Sequence, residues 1–310
     1  MPKELRKNAK GVVAVNWDDL RVFLGVARAE SLSAAGRVLR LDPATVGRRI
    51  ARLEDRCGAV LLAKSPSGYA LTEAGERLLP HAEEAERSLE IGQEALKGAD
   101  ETLTGLVRIG APDGVANYLL PQVTADIVAE NPGLDVQILA LPRVFSLTKR
   151  EADMAVTVSA PTSGRLTVQK IADYGLSLAA ASSYLAQHGR PENPGDLASH
   201  RLVGYIPELI FDPALDYLGE LGIGPVVLGS NSVAVQMNWI RQGAGLGIMH
   251  DFAVPQIAGM QRLMTDQVGL RRSFYLVRHA SDRGRARMTR FSEALIRGLR
   301  AEIARLERQT

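Results

Sequence analysis

Cysteine is nearly absent from this sequence, with Cys57 the only one in 310 residues. A framework of disulfides within the chain is therefore excluded, and the composition fits a reducing cytosol. No apolar run approaches the ~18 residues that a transmembrane helix needs. The basic residues 1–11 are not followed by an apolar segment of signal-peptide length. These absences predict a cytoplasmic protein that does not enter a membrane.

The sequence also lacks the signatures of common enzymes and metal sites. It contains no GxxxxGK(S/T) phosphate-binding loop, no GxSxG nucleophile turn and no HExxH zinc helix. The glycine-rich residues 243–247 precede a predicted strand, whereas a dinucleotide-binding loop follows one. The five histidines show no metal-ligand spacing. We therefore expect no catalytic residues, no cofactor and no metal.

The charge of the chain is nearly balanced, with a formal net charge of +2 at pH 7. That value is too small to indicate a nucleic-acid partner by itself. The distribution is more informative, because arginines are concentrated between residues 37 and 56 and glutamates between residues 83 and 94. Residues 1–15 are basic and unpatterned, which predicts a disordered extension. The alternative is an arm that contacts phosphates non-specifically.

Residues 31–54, SLSAAGRVLRLDPATVGRRIARLE, are typical of two short helices joined by a tight turn. Ser33 is a suitable N-cap for the first helix. Its inner face is predicted to consist of Ala34, Ala35, Val38 and Leu39. Asp42 and Pro43 then mark the start of the second helix, as an N-cap and a first helical residue. The stretch therefore predicts a helix-turn-helix.

The second helix has two chemically different faces. Apolar residues at helical spacing define the packing face: Val46, Ile50, Leu53 and Cys57. Small residues and arginines define the other: Ala44, Thr45, Arg48 and Arg52. Such a helix suits the major groove, where Arg48 could meet a guanine edge and Thr45 a thymine methyl or a phosphate. Many helix-turn-helix segments never bind DNA, so a merely solvated face is the alternative.

The flanking segments complete this predicted domain. Asn16 is a suitable N-cap for an earlier helix, whose inner stripe is expected to be Leu20, Phe23, Leu24 and Ala27. After Gly58, residues 60–62 and 69–71 are predicted to form the two strands of a wing. Lys64 in this wing could approach a phosphate.

A long helix is predicted after the wing, with Thr72 as its N-cap. Apolar residues alternate at spacings of four and three, the pattern of a coiled-coil seam: Leu78, Ala82, Ala85, Leu89, Gly92, Leu96, Ala99 and Leu103. A single helix with so few apolar residues would be only marginally stable in water. We therefore expect it to pair with the same helix of a second copy. Pro80 lies within the first turns and is expected to kink the helix.

From residue 106 the pattern changes to strands that alternate with helices, which favours parallel sheets with crossover helices. The predicted strands are residues 106–110, 134–139, 154–158, 176–181, 202–205, 225–228, 245–249 and 274–278. The predicted helices are residues 115–129, 183–188, 232–242, 250–257 and 288–306. These elements exceed one small sheet, so two similar α/β lobes are expected, with the chain crossing between them twice.

Two segments here are candidates for ligand binding because each opens a helix after a strand. They are residues 111–114, APDG, and residues 229–236, GSNSVAVQ. Free backbone amides and the helix dipole favour an anion at such places, and Ser230, Asn231 and Ser232 add neutral donors. Asp113 would repel an anion unless its carboxylate turns away. Ordinary helix caps explain the same residues, and that alternative stays open.

The run from Leu20, LRVFLGVARAESLSAAGRVLRLDPATVGRRIARLEDRCGAVLLAKSPSGYALTEAGERLL, resembles the winged helix-turn-helix of LysR-type transcriptional regulators. The resemblance runs without gaps from residue 17 to residue 79, and the later chain has the length and element order of that family's effector domain. Pro43 stands where the family most often has Gln, Gly47 where it often has Ser, and Lys64 where a wing Arg is common. The resemblance implies a winged helix-turn-helix, a long linker helix and two Rossmann-like α/β lobes.

The resemblance also implies where the domains begin and end. They are a disordered extension (1–15), the winged helix-turn-helix (16–72), the linker and dimerisation helix (73–103) and an effector-binding domain (104–305). Within the last, one lobe comprises residues 104–175 and 279–305, and the other comprises residues 176–278. The two crossings are expected near residues 173–178 and 274–278.

The pattern and the resemblance together select the site residues. The DNA-binding candidates are Ser33, Pro43, Ala44, Thr45, Arg48, Arg49, Arg52 and Lys64. The effector-binding candidates are Pro112, Asp113, Gly114, Leu141, Tyr205, Pro207, Ser230, Asn231, Ser232, Gln236 and His250, with Phe252 as a further wall residue. The dimerisation candidates are Leu78, Ala82, Ala85, Leu89 and Leu96. Related effector domains often carry a hydroxyl residue at the place of Gly114.

The function implied is that of a sequence-specific DNA-binding transcriptional regulator. A small organic effector, expected to be anionic, would bind between the lobes and modulate its activity. The expected partners are double-stranded DNA with a two-fold symmetric promoter site, a second copy of the chain, and RNA polymerase as a further candidate. By resemblance the assembly is a homotetramer, associated with the nucleoid in the cytoplasm.

Two other interpretations remain open at this point. The chain could be a small-molecule-binding or catalytic α/β protein whose N-terminal module serves only for dimerisation. It could also be a redox switch through Cys57. A buried, inert thiol is the alternative for that residue, because Cys57 lies on the packing face of its helix.

Overall fold

The computed structural model of the chain describes residues 15–65, 68–96, 102–140, 152–162, 166–280 and 286–309. The chain divides into two compact units, Met1–Ala99 and Asp100–Thr310. Several predictions lie outside the described residues: the extension up to residue 14, wing residues 66–67, linker residues 97–101 and the effector candidate Leu141. The same holds for the side chain of the dimerisation candidate Leu96.

The first unit is a three-helix cluster with a two-stranded wing and a long final helix. Its elements are α1 (Trp17–Ala29), α2 (Leu32–Leu39), α3 (Pro43–Cys57), β1 (Leu62–Ser65), β2 (Gly68–Leu71) and α4 (Glu73–Leu96). Apolar residues from the helices and the wing share one core, which includes Leu20, Phe23, Leu24, Ala35, Val46, Ile50, Leu53, Leu61 and Ala82. This arrangement confirms the predicted winged helix-turn-helix.

Polar side chains and one glycine fix the helix ends where the sequence predicts them. The Asn16 side chain accepts a hydrogen bond from the Asp18 amide at 2.8 Å. Asp42 Oδ1 accepts from the Thr45 amide, also at 2.8 Å, ahead of Pro43 at the first helical position. Gly58 ends α3 with a φ of 63°, a left-handed conformation that glycine adopts without strain.

The start of α2 differs from the prediction. Ser31, not Ser33, is its N-cap, and Ser31 Oγ accepts from the Ala34 amide at 3.3 Å. The predicted inner-face residue Val38 is 80% exposed. The reason is close packing at Gly36, where an added Cβ would come within 2.5 Å of the Leu41 carbonyl oxygen. Val38 lies two residues further on, about 200° around the helix from this buried point.

The wing is a short antiparallel hairpin in which Leu62 pairs with Leu71 and Lys64 with Tyr69. Its first strand begins later than the predicted residues 60–62, because Val60 lies outside the ladder and is 61% exposed. The Tyr69 amide donates to the Glu30 carbonyl oxygen at 2.8 Å, which ties the wing to the end of α1.

Helix α4 packs against its own unit over its first half. Ala82 is fully buried, and Leu78 and Ala85 are partly buried against the same core. The predicted seam is therefore corrected at Ala82, because a fully buried side chain is not available to a second copy, whereas the roles of Leu78 and Ala85 stay predictions. Leu103, predicted as the last seam residue, instead precedes a strand and belongs to the core of the second unit. The helix continues through Pro80.

The second unit is built on one mixed sheet. Its strands are β3 (Thr104–Ala111), β4 (Gly133–Ala140), β5 (Met154–Thr157), β6 (Leu166–Ala181), β7 (Leu202–Gly204), β8 (Leu228–Gly229), β9 (Leu246–His250), β10 (Met260–Leu263) and β11 (Gly269–His279). Its helices are α5 (Asp113–Tyr118), α6 (Leu120–Glu130), α7 (Ser182–His188), α8 (Tyr217–Glu220), α9 (Val233–Arg241) and α10 (Ala286–Glu307). The strand order is β4-β3-β5-β11-β6-β9-β7-β8, with β10 paired to β6.

The sheet divides into two α/β lobes that share two long strands. In one lobe β3 is parallel to β4 and β5, and in the other β7 is parallel to β8 and β9. Strands β6 and β11 run antiparallel to each other through both lobes, with one register shift between Phe274 and Tyr275. The chain therefore crosses between the lobes along these two strands.

Three predicted elements of this unit are corrected, and one strand was not predicted. The predicted helix 250–257 is only a short 3-10 turn at Val254–Gln256, since β9 extends through His250. The predicted helix 115–129 is two helices, because the chain breaks at Leu119 and the next helix starts at Leu120, with Pro121 as its second residue. The predicted strand 225–228 is reduced to β8, and β10 was not predicted.

Candidate functional site

The exposed face of α3 is the candidate DNA interface. Pro43, Ala44 and Arg48 are exposed there and Thr45 is half-buried. Arg48 Nη2 donates to Thr45 Oγ1 at 2.8 Å, so the hydroxyl orients the guanidinium on the helix surface. The hydrogen bonds from Thr45 lower the pKa of Asp42, which keeps this cap negative at the helix start. The arrangement presents one oriented guanidinium beside small side chains.

Arg52 has a different role from Arg48. Its guanidinium forms a two-pronged contact with Asp19, in which Nε donates to Oδ2 at 2.8 Å and Nη2 donates to Oδ1. The Asp19 carboxylate is fully buried on α1, and the hydrogen bond from Arg52 holds its pKa below the usual value. Arg56 lies 3.8 Å from the same carboxylate. Arg52 therefore links α3 to α1.

The other DNA-binding candidates lie on neighbouring elements of the same unit. Ser33 is exposed on α2 and Lys64 is exposed on the first wing strand. Arg49 is half-buried, and its Nη1 lies 3.7 Å from Asp18 Oδ2 on α1. The sequence reasoning missed Asp19, although a carboxylate within the apolar stripe of a helix signals a buried ion pair.

The effector candidates of the two lobes meet at the start of α9. Asp113 is the first residue of α5, and its carboxylate reaches the other lobe. There Oδ2 accepts from Ser232 Oγ at 2.7 Å and from the Ala234 amide at 2.9 Å. Asn117 Nδ2 donates to Asp113 Oδ1 at 2.7 Å. The N-terminus of α9 is thus already filled by an anion from the chain itself.

The loop before α9 is held by its own hydrogen bonds. Ser230 Oγ accepts from the Ser232 amide at 3.1 Å, and Gln236 Nε2 donates to the Ser230 carbonyl oxygen at 2.7 Å. Ser232 is the N-cap of α9. Asn231 and Pro112 are half-buried. Ser230 and Ser232 therefore serve as structural caps in this conformation, as the alternative interpretation allowed.

His250 explains why Gly114 lacks a hydroxyl side chain. A Cβ at Gly114 would lie 2.7 Å from His250 Cε1, so the imidazole occupies the space that a side chain would need. His250 is 4% exposed, and burial lowers its pKa to about 4. Its ring lies 5.5 Å from Tyr174 and 4.9 Å from Phe252, centroid to centroid. His250 is therefore a neutral aromatic wall between the lobes at neutral pH.

A cavity of about 380 Å³ lies beside this junction, within the second lobe. Tyr205, Pro207 and Gln236, which the sequence selected, line it. Tyr217 also lines it and was missed, because no motif marks the segment between β7 and β8. Within the described part of the chain, no cluster of three or more potential metal ligands occurs and no helix is long and apolar enough to cross a membrane.

Fold and site together define a class of protein. A winged helix-turn-helix with an oriented arginine is joined in one chain to a two-lobed α/β domain with a cavity, which is the organisation of ligand-responsive transcription regulators. Comparison with known families agrees. Residues 17–76 match "Bacterial regulatory helix-turn-helix protein, lysR family", and residues 100–300 match "LysR substrate binding domain". The chain belongs to the LysR family of transcriptional regulators.

Relatives and solved structures point the same way. The HTH-type transcriptional activator AaeR of Escherichia coli K12 is 27% identical over 73% of this chain and 74% of its own length. The Mau operon transcriptional activator of Paracoccus denitrificans is 25% identical over 85% and 89%. Family members are regulators and not enzymes, which confirms the expectation that this chain has no catalytic function.

Two solved structures share the fold of nearly the whole chain. CrgA of Neisseria meningitidis, a LysR-type transcriptional regulator, has a TM-score of 0.56 and 21% identity, covering 92% of this chain and 99% of that one. A full-length OxyR variant from Pseudomonas aeruginosa has a TM-score of 0.73 and 16% identity, covering 92% and 95%. These similarities confirm the predicted fold class.

Proposed function

We propose that this LysR-family regulator reads a two-fold symmetric promoter site with the exposed face of α3. The observation that carries the proposal is the Arg48–Thr45 hydrogen bond of 2.8 Å on that face. It pre-orients a guanidinium whose fork matches the acceptors on a guanine edge. Ser33, Pro43, Ala44 and Arg49 complete the proposed interface, with Lys64 on a phosphate. Arg52 stabilises the position of α3 in this proposed interface by donating a hydrogen bond to Asp19 on α1.

The proposed assembly is a dimer through the second half of α4, joined into a tetramer. The support is the exposure of Leu89, 47%, which contrasts with the buried Ala82 earlier in the helix. A two-fold axis between two such helices would match a symmetric promoter site. Contact with RNA polymerase and a location at the nucleoid in the cytoplasm belong to the same proposal.

The proposed effector binds between the lobes and shifts their arrangement. The support is the direct contact of Asp113 in one lobe with Ser232 and Ala234 in the other, a link that a ligand could replace. We retain the proposed lobe boundaries, with residues 104–175 and 279–305 in one lobe and residues 176–278 in the other. The long strands β6 and β11 support crossings near these boundaries.

The experiment is capture of fragmented genomic DNA on the full-length protein at fixed salt, with an Arg48→Ala variant in parallel. We expect discrete fragments to be enriched by the native protein, and Arg48→Ala to lose about 1–3 kcal/mol of specific affinity. The matched control is Arg305→Ala, which removes the same charge from α10, where Arg305 pairs with Glu302. It should capture the native set.

The contradicting result is equally specific. If native protein and Arg48→Ala recover the same diffuse DNA, the basic face acts only as an electrostatic surface. The N-terminal unit would then serve for dimerisation, as the alternative interpretation of the sequence holds. Loss of capture by Arg305→Ala as well would indicate a general effect of charge.

A further inference from the structure

The cavity in the second lobe is the strongest unassigned feature of the molecule. Its volume of about 380 Å³ is roughly two and a half times that of an engineered apolar cavity that binds benzene. Apolar side chains form much of its wall: Ile210, Leu215, Leu218, Ile223, Val226 and Ile248. A space of this size and lining fits a molecule with one or two aromatic rings.

The charges around the cavity discriminate against an anion. No lysine, arginine or histidine is among the described residues that line it. Asp216 lines it and contributes a carboxylate. The start of α8, which borders the cavity, is capped by the Asp216 side chain, and the start of α9 is filled by Asp113. An anionic ligand would therefore meet the Asp216 carboxylate. The cation whose charge reaches Tyr217, Arg272, already pairs with Glu220, so the desolvation of the ligand's charge would not be recovered.

One polar group in the wall favours a ligand with a hydrogen-bonding group. The Tyr217 side chain is 4% exposed, and its hydroxyl interacts with the hydroxyls of Tyr174 and Tyr205 but makes no hydrogen bond of ordinary length and angle with any described residue. A buried hydroxyl without a well-formed hydrogen bond costs free energy that a ligand acceptor or donor would recover. Tyr205 lies beside it, with ring centroids 5.8 Å apart.

We propose that this cavity binds a small, uncharged aromatic molecule with one hydroxyl or carbonyl group, and that this is the chemistry of the regulator's effector. The inference rests on the proposed function, because it assigns the ligand class of the same effector-binding domain. It departs from the sequence expectation in two respects: the ligand is uncharged and not anionic, and it lies within the second lobe beside the junction and not between the lobes. The rings would occupy the apolar walls, and the polar group would meet Tyr217.

The test is equilibrium binding of naphthol to the full-length protein, with naphthoate as the matched anionic probe. Naphthoate has the same two rings and a carboxylate in place of the hydroxyl. We expect saturable binding of naphthol and at least about tenfold weaker binding of naphthoate. Tyr217→Phe, which removes only the hydroxyl, should weaken naphthol binding roughly fivefold.

A cavity-filling pair of variants locates the site. Gly224 lines the cavity, its φ is not left-handed, and a Cβ added there would meet no atom within 4 Å. Gly224→Phe should reduce naphthol affinity by about tenfold or more, while Gly224→Ala, which makes the same backbone change with little bulk, should bind nearly as the native protein does.

Three results would overturn the proposal: no saturable naphthol binding up to about 1 mM, equal binding of naphthoate, or unchanged binding by Gly224→Phe. The same preparations are assayed for DNA capture. Native capture of discrete fragments without naphthol binding would remove the ligand assignment and leave the regulator function. Naphthol binding without specific capture would remove the proposed DNA contacts and leave the cavity.

Discussion

Asp19 is a carboxylate placed among apolar neighbours on α1, and its burial has a cost that its partners must offset. An unpaired buried charge costs several kcal/mol, whereas a two-pronged guanidinium contact satisfies both oxygens. Arg52 supplies that contact, although the sequence pattern placed Arg52 on the exposed face of α3. The spacing of residues identified the face correctly, but it could not show that a long side chain folds back toward α1.

Replacing Arg52 by alanine should therefore destabilise the first unit. We expect a measurable loss in its free energy of unfolding, because the buried carboxylate keeps its desolvation cost without its main partner. Urea unfolding of the full-length protein, followed by circular dichroism at neutral pH, measures the change. Arg37→Ala, an exposed arginine on α2, is the control and should unfold as the native protein does.

The pH dependence provides a second check on the same pair. The pKa of Asp19 is lowered by Arg52, so the stabilisation is present above the unfolded value of about 3.9 and is lost as the pH falls through the lower folded value. The difference between native protein and Arg52→Ala should shrink in strongly acidic solution. An Arg52→Ala variant as stable as the native protein at neutral pH would leave Arg52 free to be a DNA contact.

At the scale of elements, local rules worked best where a cap or a glycine fixed a helix end. Asn16, Asp42 and Gly58 were recognised from the sequence because each acts on its immediate neighbours. The start of α2 was missed because serine is a favourable cap at both Ser31 and Ser33, and the sequence pattern does not distinguish them. The first half of β6 is mostly half-buried or exposed, so hydrophobicity alone revealed only its last residues.

The candidate site was predictable in its location and less so in its chemistry. The sequence placed Asp113 and Ser232 at helix starts in two lobes, which the structure brings within 2.7 Å. It could not show that one would satisfy the other, because that depends on how the lobes pack. Three residues of the cavity wall, Tyr205, Pro207 and Gln236, were selected from the sequence, but Tyr217 was not, because no motif marks the segment between β7 and β8.

Helix α4 gives a prediction about assembly. Leu89 is 47% exposed beyond the part of the helix that packs on its own unit, so a second copy is expected to cover it. Leu89→Glu should convert the native oligomer to smaller species, because a charge in a coiled-coil seam would be buried without a partner. Sedimentation of the two proteins at equal concentration measures this effect.

The control for this experiment is Val38→Glu, which changes an 80% exposed apolar residue of α2 in the same way. It should keep the native assembly. If Leu89→Glu sediments as the native protein does, the subunits associate through another surface, and α4 is only a connector between the two units.

For the whole molecule, the two compact units predict that DNA binding and effector binding can be separated on two fragments of the chain. A fragment of residues 102–310 contains the complete sheet of the second unit and the core residue Leu103. We expect it to unfold cooperatively, as a domain with its own core does, and to capture no specific DNA. Calorimetry and the genomic capture assay, each with the full-length protein in parallel, provide the measurements. Retention of specific fragments by this fragment would show that α3 is not the reading helix.

The pairing of β6 with β11 has a mechanical consequence for the second unit. Two hydrogen-bonded strands form a ribbon, which twists readily but cannot slide, because a slip of one residue would turn every side chain to the opposite face. The two lobes can then twist relative to each other, but they cannot slide past each other. If an effector shifts the lobes as proposed, we expect a change in their twist and no change in the pairing of β6 with β11, whose register shift lies between Phe274 and Tyr275.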